Sequence, residues 1–122
     1  MSLRVEPSRV EPDIVVFHLY GNLIFGPEAD ALETNVRDLV NHGDKRIIFE
    51  LSGVERIDSV GGMELVRCFL VAREAGGGLR VACPSRCVQR LFKNVQLESL
   101  IPLFPNVAAA CENFTTGEAK QA

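Results

Sequence analysis

Two neighbouring stretches decide the fold: Lys45-Arg46-Ile47-Ile48-Phe49-Glu50-Leu51 and Arg56-Ile57-Asp58-Ser59-Val60-Gly61-Gly62-Met63. The first carries consecutive apolar residues, as a strand in the interior of a parallel sheet requires. Ser52-Gly53 is expected to break it. The second opens a segment, Ser59 to Ala75, that reads as a helix ended by Gly76-Gly77-Gly78. A strand feeding a helix in this way is half of a βαβ crossover. It sets a serine at the mouth of a helix, next to a carboxylate and two glycines.

The remaining elements follow outward from this pair. Ile14 to Tyr20 is β-branched and aromatic and predicts a strand ending at Gly21-Asn22. Leu3 to Glu6 is expected to pair with it as an edge strand, with Pro7 to Pro12 as the turn region. Gly26-Pro27 starts a helix in which Ala29, Leu32, Val36 and Leu39 recur at helical spacing, and Gly43 fits just past its end. Leu79 to Cys83 predicts a strand, and Pro84-Ser85 opens a helix with Val88, Leu91, Phe92 and Val95 on one face. Leu100 to Phe104 is a short last strand, placed at an edge by Pro102. Asn106 caps a final helix carrying Val107, Cys111 and Phe114. The order ββαβαβαβα predicts an α/β fold: a mixed, mostly parallel sheet with about four helices in one domain, residues 1–114, followed by a polar tail, 115–122.

Composition narrows the function. At 122 residues the chain has room for one modest core. Its net charge is −3 with no basic run, so the electrostatic footprint of nucleic-acid binding is lacking. No stretch is long enough to span a bilayer, and Met1 to Glu6 shows no apolar signal segment, so the cytoplasm is the expected compartment. The four cysteines, Cys68, Cys83, Cys87 and Cys111, are expected to be reduced and buried. Cys83 and Cys87 form a C-x3-C pair, but His18 and His42 are far from it in sequence, so neither a metal site nor a cofactor is expected.

Around the helix Ser59–Ala75, Gly62, Leu65, Phe69 and Ala72 fall on the side expected to face the sheet. Val60, Glu64, Arg67, Val71 and Glu74 fall on the opposite side, flanked by Met63 and Leu70. Scattered apolar residues on a solvent face are ordinary. Alternatively the face is a docking surface around Ser59, with Val60 and Met63 buried by a partner and Glu64 and Arg67 at the rim. Gly61 and Gly62 each cost roughly 1 kcal/mol relative to alanine inside a helix. Close packing on the sheet or access for a partner to the Ser59 hydroxyl would account for them. Ser59 is either a helix N-cap or an accessible acceptor, and Asp58 equally suits a cap. Catalysis by Ser59 has little support: the motif is not G-x-S-x-G, and no histidine is an evident base.

Ile57-Asp58-Ser59-Val60-Gly61, following Ile47 to Val54, resembles the signature of STAS domains, and most closely that of bacterial anti-sigma factor antagonists. Further similarity lies in Gly76 to Ala82, Val88 to Phe92 and Leu97 to Phe104, so the likeness runs from Ile14 to Phe114 in order. The resemblance implies a non-enzymatic domain that binds an anti-sigma factor and thereby frees a sigma factor. It implies that the anti-sigma factor is a serine kinase acting on Ser59, and that a serine phosphatase reverses the modification. On that basis Asp58, Val60, Gly61, Gly62, Met63, Glu64 and Arg67 are the expected partner-binding residues around the phosphorylation site. Val60 stands where a second small hydroxyl residue is common, and Gly62 where a larger apolar residue is frequent. Some STAS proteins instead resemble accessory subunits that bind the ATPase of a lipid-transport ABC complex. The same helix face would serve there without phosphorylation.

Overall fold

The computed structural model of the chain describes residues 2–10 and 12–114. Among the described residues nine elements alternate as expected: β1 (Leu3–Val10), β2 (Ile14–Leu23), α1 (Pro27–Asn41), β3 (Arg46–Ile57), α2 (Ser59–Glu74), β4 (Gly78–Ala82), α3 (Arg86–Val95), β5 (Leu103–Phe104) and α4 (Val107–Cys111). A short 3-10 turn, Leu97–Ser99, lies between α3 and β5. The five strands form one sheet in the order β1-β2-β3-β4-β5. β1 is antiparallel to β2, and every other neighbouring pair is parallel. This is the mixed, mostly parallel sheet that the alternation of strand and helix demands.

The two faces of the sheet are covered differently. Phe17, Leu19, Ile47, Phe49, Leu51, Leu79 and Val81 form one core with apolar side chains of α1, α2 and α3. On the other face Ile14, Val16, Ile48 and Ala82 pack against Ala110 of α4 and against Phe114. A buried arginine holds α4 there. Arg80 of β4 donates to the carbonyls of Ala110, Glu112 and Asn113 at 2.9, 2.8 and 3.3 Å. Its guanidinium lies over the rings of Phe104 and Phe114. A cation at the carbonyl end of a helix is favoured by the helix dipole, and its charge is compensated by those acceptors.

Several boundaries differ from the sequence expectation: β2 runs on to Leu23, β5 is Leu103–Phe104 alone where Leu100 to Phe104 is expected, and α4 ends at Cys111, before Phe114. β1 continues through Pro7 to Val10, where a turn was expected. β1 is an edge strand, and a proline there need not interrupt the ladder. β3 runs on past Ser52-Gly53 to Ile57, with register irregularities in its pairing to β2. Gly53 is a close approach of strands instead of a breaker, because a Cβ there would lie 2.5 Å from Tyr20 Cδ1 and 2.8 Å from the Leu19 carbonyl oxygen. Val95, grouped with Val88, Leu91 and Phe92 on one face, ends α3 and is 52% exposed; Val88 and Phe92 are the buried residues of that helix. Asn106 caps α4 as expected, accepting from the Ala109 amide at 2.8 Å. The expected tail, 115–122, lies outside the described residues.

The start of α2 is pressed onto the end of β2. A Cβ at Gly61 would fall 2.0 Å from the Leu23 carbonyl oxygen, whereas one at Gly62 would meet the tip of the Leu91 side chain at 2.7 Å. The first obstacle is backbone and the second can rotate away. Gly61→Ala is therefore expected to destabilise the domain by about 2 kcal/mol or more. Gly62→Ala is expected to stay within about 1 kcal/mol of the wild type, because the gain in helix propensity offsets the displacement of Leu91. Urea denaturation midpoints of the two variants check this difference.

Candidate functional site

Asp58 supplies the cap of α2. Its Oδ1 accepts the Gly61 amide at 2.8 Å, and its Oδ2 accepts the Phe25 amide at 3.0 Å. One carboxylate thus satisfies an orphan amide of the helix and also fixes the loop between β2 and α1. Burial opposes the charge on Asp58, but the amides of Gly61, Phe25 and Val60 outweigh it and hold the carboxyl below its ordinary value.

Because Asp58 is the cap, Ser59 is not. It is the first residue of α2 and is exposed, and its hydroxyl makes no hydrogen bond among the described residues. Val60, Met63 and Arg67 are also exposed, and Val60 and Met63 are among the exposed large apolar side chains. Gly61 and Gly62 are both buried, which supports close packing as their reason.

Glu64 corrects the expected helical face. Placed in sequence on the solvent side, it is 1% exposed, and Val71 is 9% exposed. The cause is α1, which packs alongside α2 and extends the buried stripe towards Glu64, Cys68 and Val71. Glu64 Oε2 accepts the Glu33 amide of α1 at 3.1 Å, and Oε1 accepts from Arg67 Nη1 at 3.2 Å. Burial pushes the Glu64 carboxyl up, and the bond from Arg67 only partly counters it. Glu64 therefore joins α1 to α2 beneath the surface, leaving Arg67 at the rim.

An apolar groove of about 220 Å³ runs beside Ser59, between α2 and α3, lined by Gly62, Met63, Val66, Leu91, Val95 and Leu97 as well as the serine. Among the described residues, Ser59 is the one hydroxyl in that lining. Phe25, 79% exposed, stands on the loop held by Asp58. Sequence periodicity missed Phe25 because it lies in a loop. It placed Leu91 and Val95 on one face with Val88 and Phe92; the latter two are buried and the former two line the groove. The one available signal for Phe25 was an aromatic residue directly before the Gly26-Pro27 helix start.

The sequence also showed no histidine as an evident base for a serine. In the structure His18 stands between Ser8 and Glu50, at 3.0 and 3.3 Å, far along the sheet from Ser59 and on its other face. All four cysteines are free. Burial pushes the thiols of Cys68, Cys83 and Cys111 up, so they are not poised as thiolates. Among the described residues, no group of three His, Cys, Asp or Glu side chains is arranged to hold a metal ion.

The chain belongs to the STAS domain family, whose family model matches residues 7–110. Its fold is similar to that of an anti-sigma factor antagonist from Mycobacterium paratuberculosis, at 22% identity and a TM-score of 0.75, covering 93% of this chain and 94% of the other. A candidate anti-sigma factor antagonist from Thermotoga maritima superposes with a TM-score of 0.81 at 23% identity, covering 90% and 93% of the two chains. SpoIIAA, an anti-sigma factor antagonist solved in its unphosphorylated form, aligns at 17% identity and a TM-score of 0.65, covering 84% and 88%. A phosphorylated form of the Bacillus SpoIIAA has a similar fold, with a TM-score of 0.67 at 17% identity over 87% and 96% of the chains. No curated protein matches the chain in sequence. Among the described residues, no helix is long and apolar enough to cross a membrane.

The two carboxylates of α2 have opposite pH signatures. The native Asp58 carboxyl is held below 3.8, so its cap contributes fully above that value and is lost as pH falls through the native one. Asp58→Ala is expected to cost about 1 kcal/mol at neutral pH, a difference that shrinks in acid. The native Glu64 carboxyl is raised above 4.5, so its proton-linked contribution is fully present below 4.5 and is lost as pH rises through the native value. Glu64→Gln removes that slope. Denaturation midpoints measured across the acid range check both signs.

Proposed function

We propose that the protein is an anti-sigma factor antagonist whose binding face, centred on the start of α2, is switched by phosphorylation of Ser59. The observation that carries this is a division of labour between adjacent residues. Asp58 takes the structural role of helix cap, and Ser59 is left exposed with an uncommitted hydroxyl. Val60, Met63 and the groove beside Ser59 offer apolar surface for a partner, and Arg67 supplies a charge at its edge. The partner is an anti-sigma factor with serine-kinase activity, sequestered so that a sigma factor is released in the cytoplasm. A serine phosphatase restores the binding form. The domain needs no contact with nucleic acid and no insertion into a membrane to do this.

The physical effect of the phosphate is local. It adds about −1.5 to −2 charges at neutral pH. The partial positive charge of a helix N-terminus tolerates it, although the Asp58 carboxylate, which already accepts the Gly61 amide, opposes it. The fold need not change. A partner that buries Val60 and Met63 would have to desolvate a dianion beside them, which is costly without matching cations. Association therefore weakens while the domain stays folded.

Ser59→Asp is expected to weaken binding to the cognate anti-sigma kinase at least tenfold, about 1.4 kcal/mol, and Ser59→Ala to bind but resist kinase-driven release. Calorimetric titration of the three proteins with the kinase, paired with intact-mass analysis after incubation with ATP, checks this. Equal affinity of the wild type, Ser59→Asp and the phosphorylated protein would overturn it.

A further inference from the structure

We propose that Ser8 is an activated serine on the open half of the sheet, an acceptor for acyl groups carried on good leaving groups such as aryl esters and thioesters. It lies on the face of the sheet opposite α1, α2 and α3, and is separate from the Ser59 surface. Ser8 belongs to β1, His18 to β2 and Glu50 to β3. In the ladders His18 stands opposite Glu6 on one side and Glu50 on the other, and Ser8 stands opposite Val16, one diagonal step along. Strand alternation then brings the three side chains to one face.

Their hydrogen bonds run in one direction. Glu50 Oε1 lies 3.3 Å from His18 Nδ1, and Glu50 Oε2 accepts the Ser52 amide at 3.3 Å. A carboxylate can only accept, so the proton of the neutral imidazole resides on Nδ1. Nε2 is thereby left with its lone pair, 3.0 Å from Ser8 Oγ, and the hydroxyl donates to it. This is the order nucleophile, base, orienting carboxylate. Burial follows the same order: Ser8 is exposed, the His18 side chain is 30% exposed and the Glu50 side chain 10%. An apolar residue at position 50 would have extended the adjoining core of Val16, Ile48 and Ala82, and a carboxylate is buried there instead. The other titratable groups facing the relay are Glu6, opposite His18, and Cys83, whose thiol is pushed up by burial and then by Glu50. Cys83 is therefore a poor competing nucleophile at neutral pH.

In the reaction the Ser8 oxygen attacks the carbonyl carbon while its proton passes to His18 Nε2. A bond forms between Oγ and the acyl carbon. The bond from that carbon to the leaving oxygen or sulfur breaks, and the leaving group departs with the proton returned by His18. The products are an acyl-serine ester and a phenol or thiol, with no change of oxidation state. The relay occupies a strand surface, which suits stoichiometric acylation by activated donors more than turnover. Ser8 and His18 touch the reacting atoms, and Glu50 is a positioning residue.

p-Nitrophenyl acetate tests this. Intact-mass and peptide mass analysis of the full chain should show one acetyl group on Ser8, and no adduct at that position in Ser8→Ala. His18→Gln should slow Ser8 acetylation by at least about tenfold. Glu50→Ala should slow it as well, and Glu50→Gln, whose amide oxygen can still accept from Nδ1, should restore part of the rate. Ser59→Ala should label as the wild type does. Circular dichroism establishes that each variant is folded, and His18→Ala replaces His18→Gln should the latter not fold. Absence of acetyl-Ser8 in the wild type overturns the proposal without any variant, and so does an unchanged rate in a folded His18 variant.

Discussion

The Asp58 carboxylate is the constraint on which the candidate site depends. Its two oxygens take amides from different parts of the chain, Gly61 in the first turn of α2 and Phe25 in the loop before α1. A neutral hydroxyl in the same place would present one oxygen, and a side chain of different length would not span both amides. With this bond made, the following residue is free of structural duty. Its side chain projects from the first turn of a helix, where backbone amides and the helix dipole suit a negative charge.

Glu64 extends the same logic along α2. Both acidic groups reach from this helix to backbone amides of the β2–α1 region, one at the threshold and one beneath α1. The costs differ. Asp58 is surrounded by amides that favour its charge, whereas Glu64 is desolvated with a single cation at its edge. Together with the contact of Gly61 on the Leu23 carbonyl, they leave α2 little freedom to slide. A charge arriving at Ser59 would then act on whatever approaches the surface more than on the fold beneath it.

The sheet divides the molecule into two chemistries. One face is sealed by α1, α2 and α3, and presents the Ser59 surface on the outer side of those helices. The other is only partly covered, by α4, anchored through Arg80. Beyond that cover the strands carry polar side chains in register, and the Ser8–His18–Glu50 relay is the product of three neighbouring strands. Neither surface requires the other, so a binding switch and a reactive serine are compatible on one small domain.

Much of this was legible in the sequence. Consecutive apolar residues in Ile47–Leu51, the helical spacing of Ala29, Leu32 and Val36, and the glycines after α2 are local signals, and local sterics and periodicity suffice to read them. They determined the order of elements, the mixed sheet and the position of Ser59 at a helix start. Tertiary structure alone decided which side of α2 is wet, because the stripe on a helix depends on how many neighbours cover it. α1 closes over Glu64 and Val71, a fact absent from their spacing. It also decided which of two adjacent residues caps the helix, since Asp58 is favoured by the Phe25 amide, 33 residues away in sequence. The same holds for Ser8, His18 and Glu50, which meet only through strand register, a property of pairing between segments and not of any one segment.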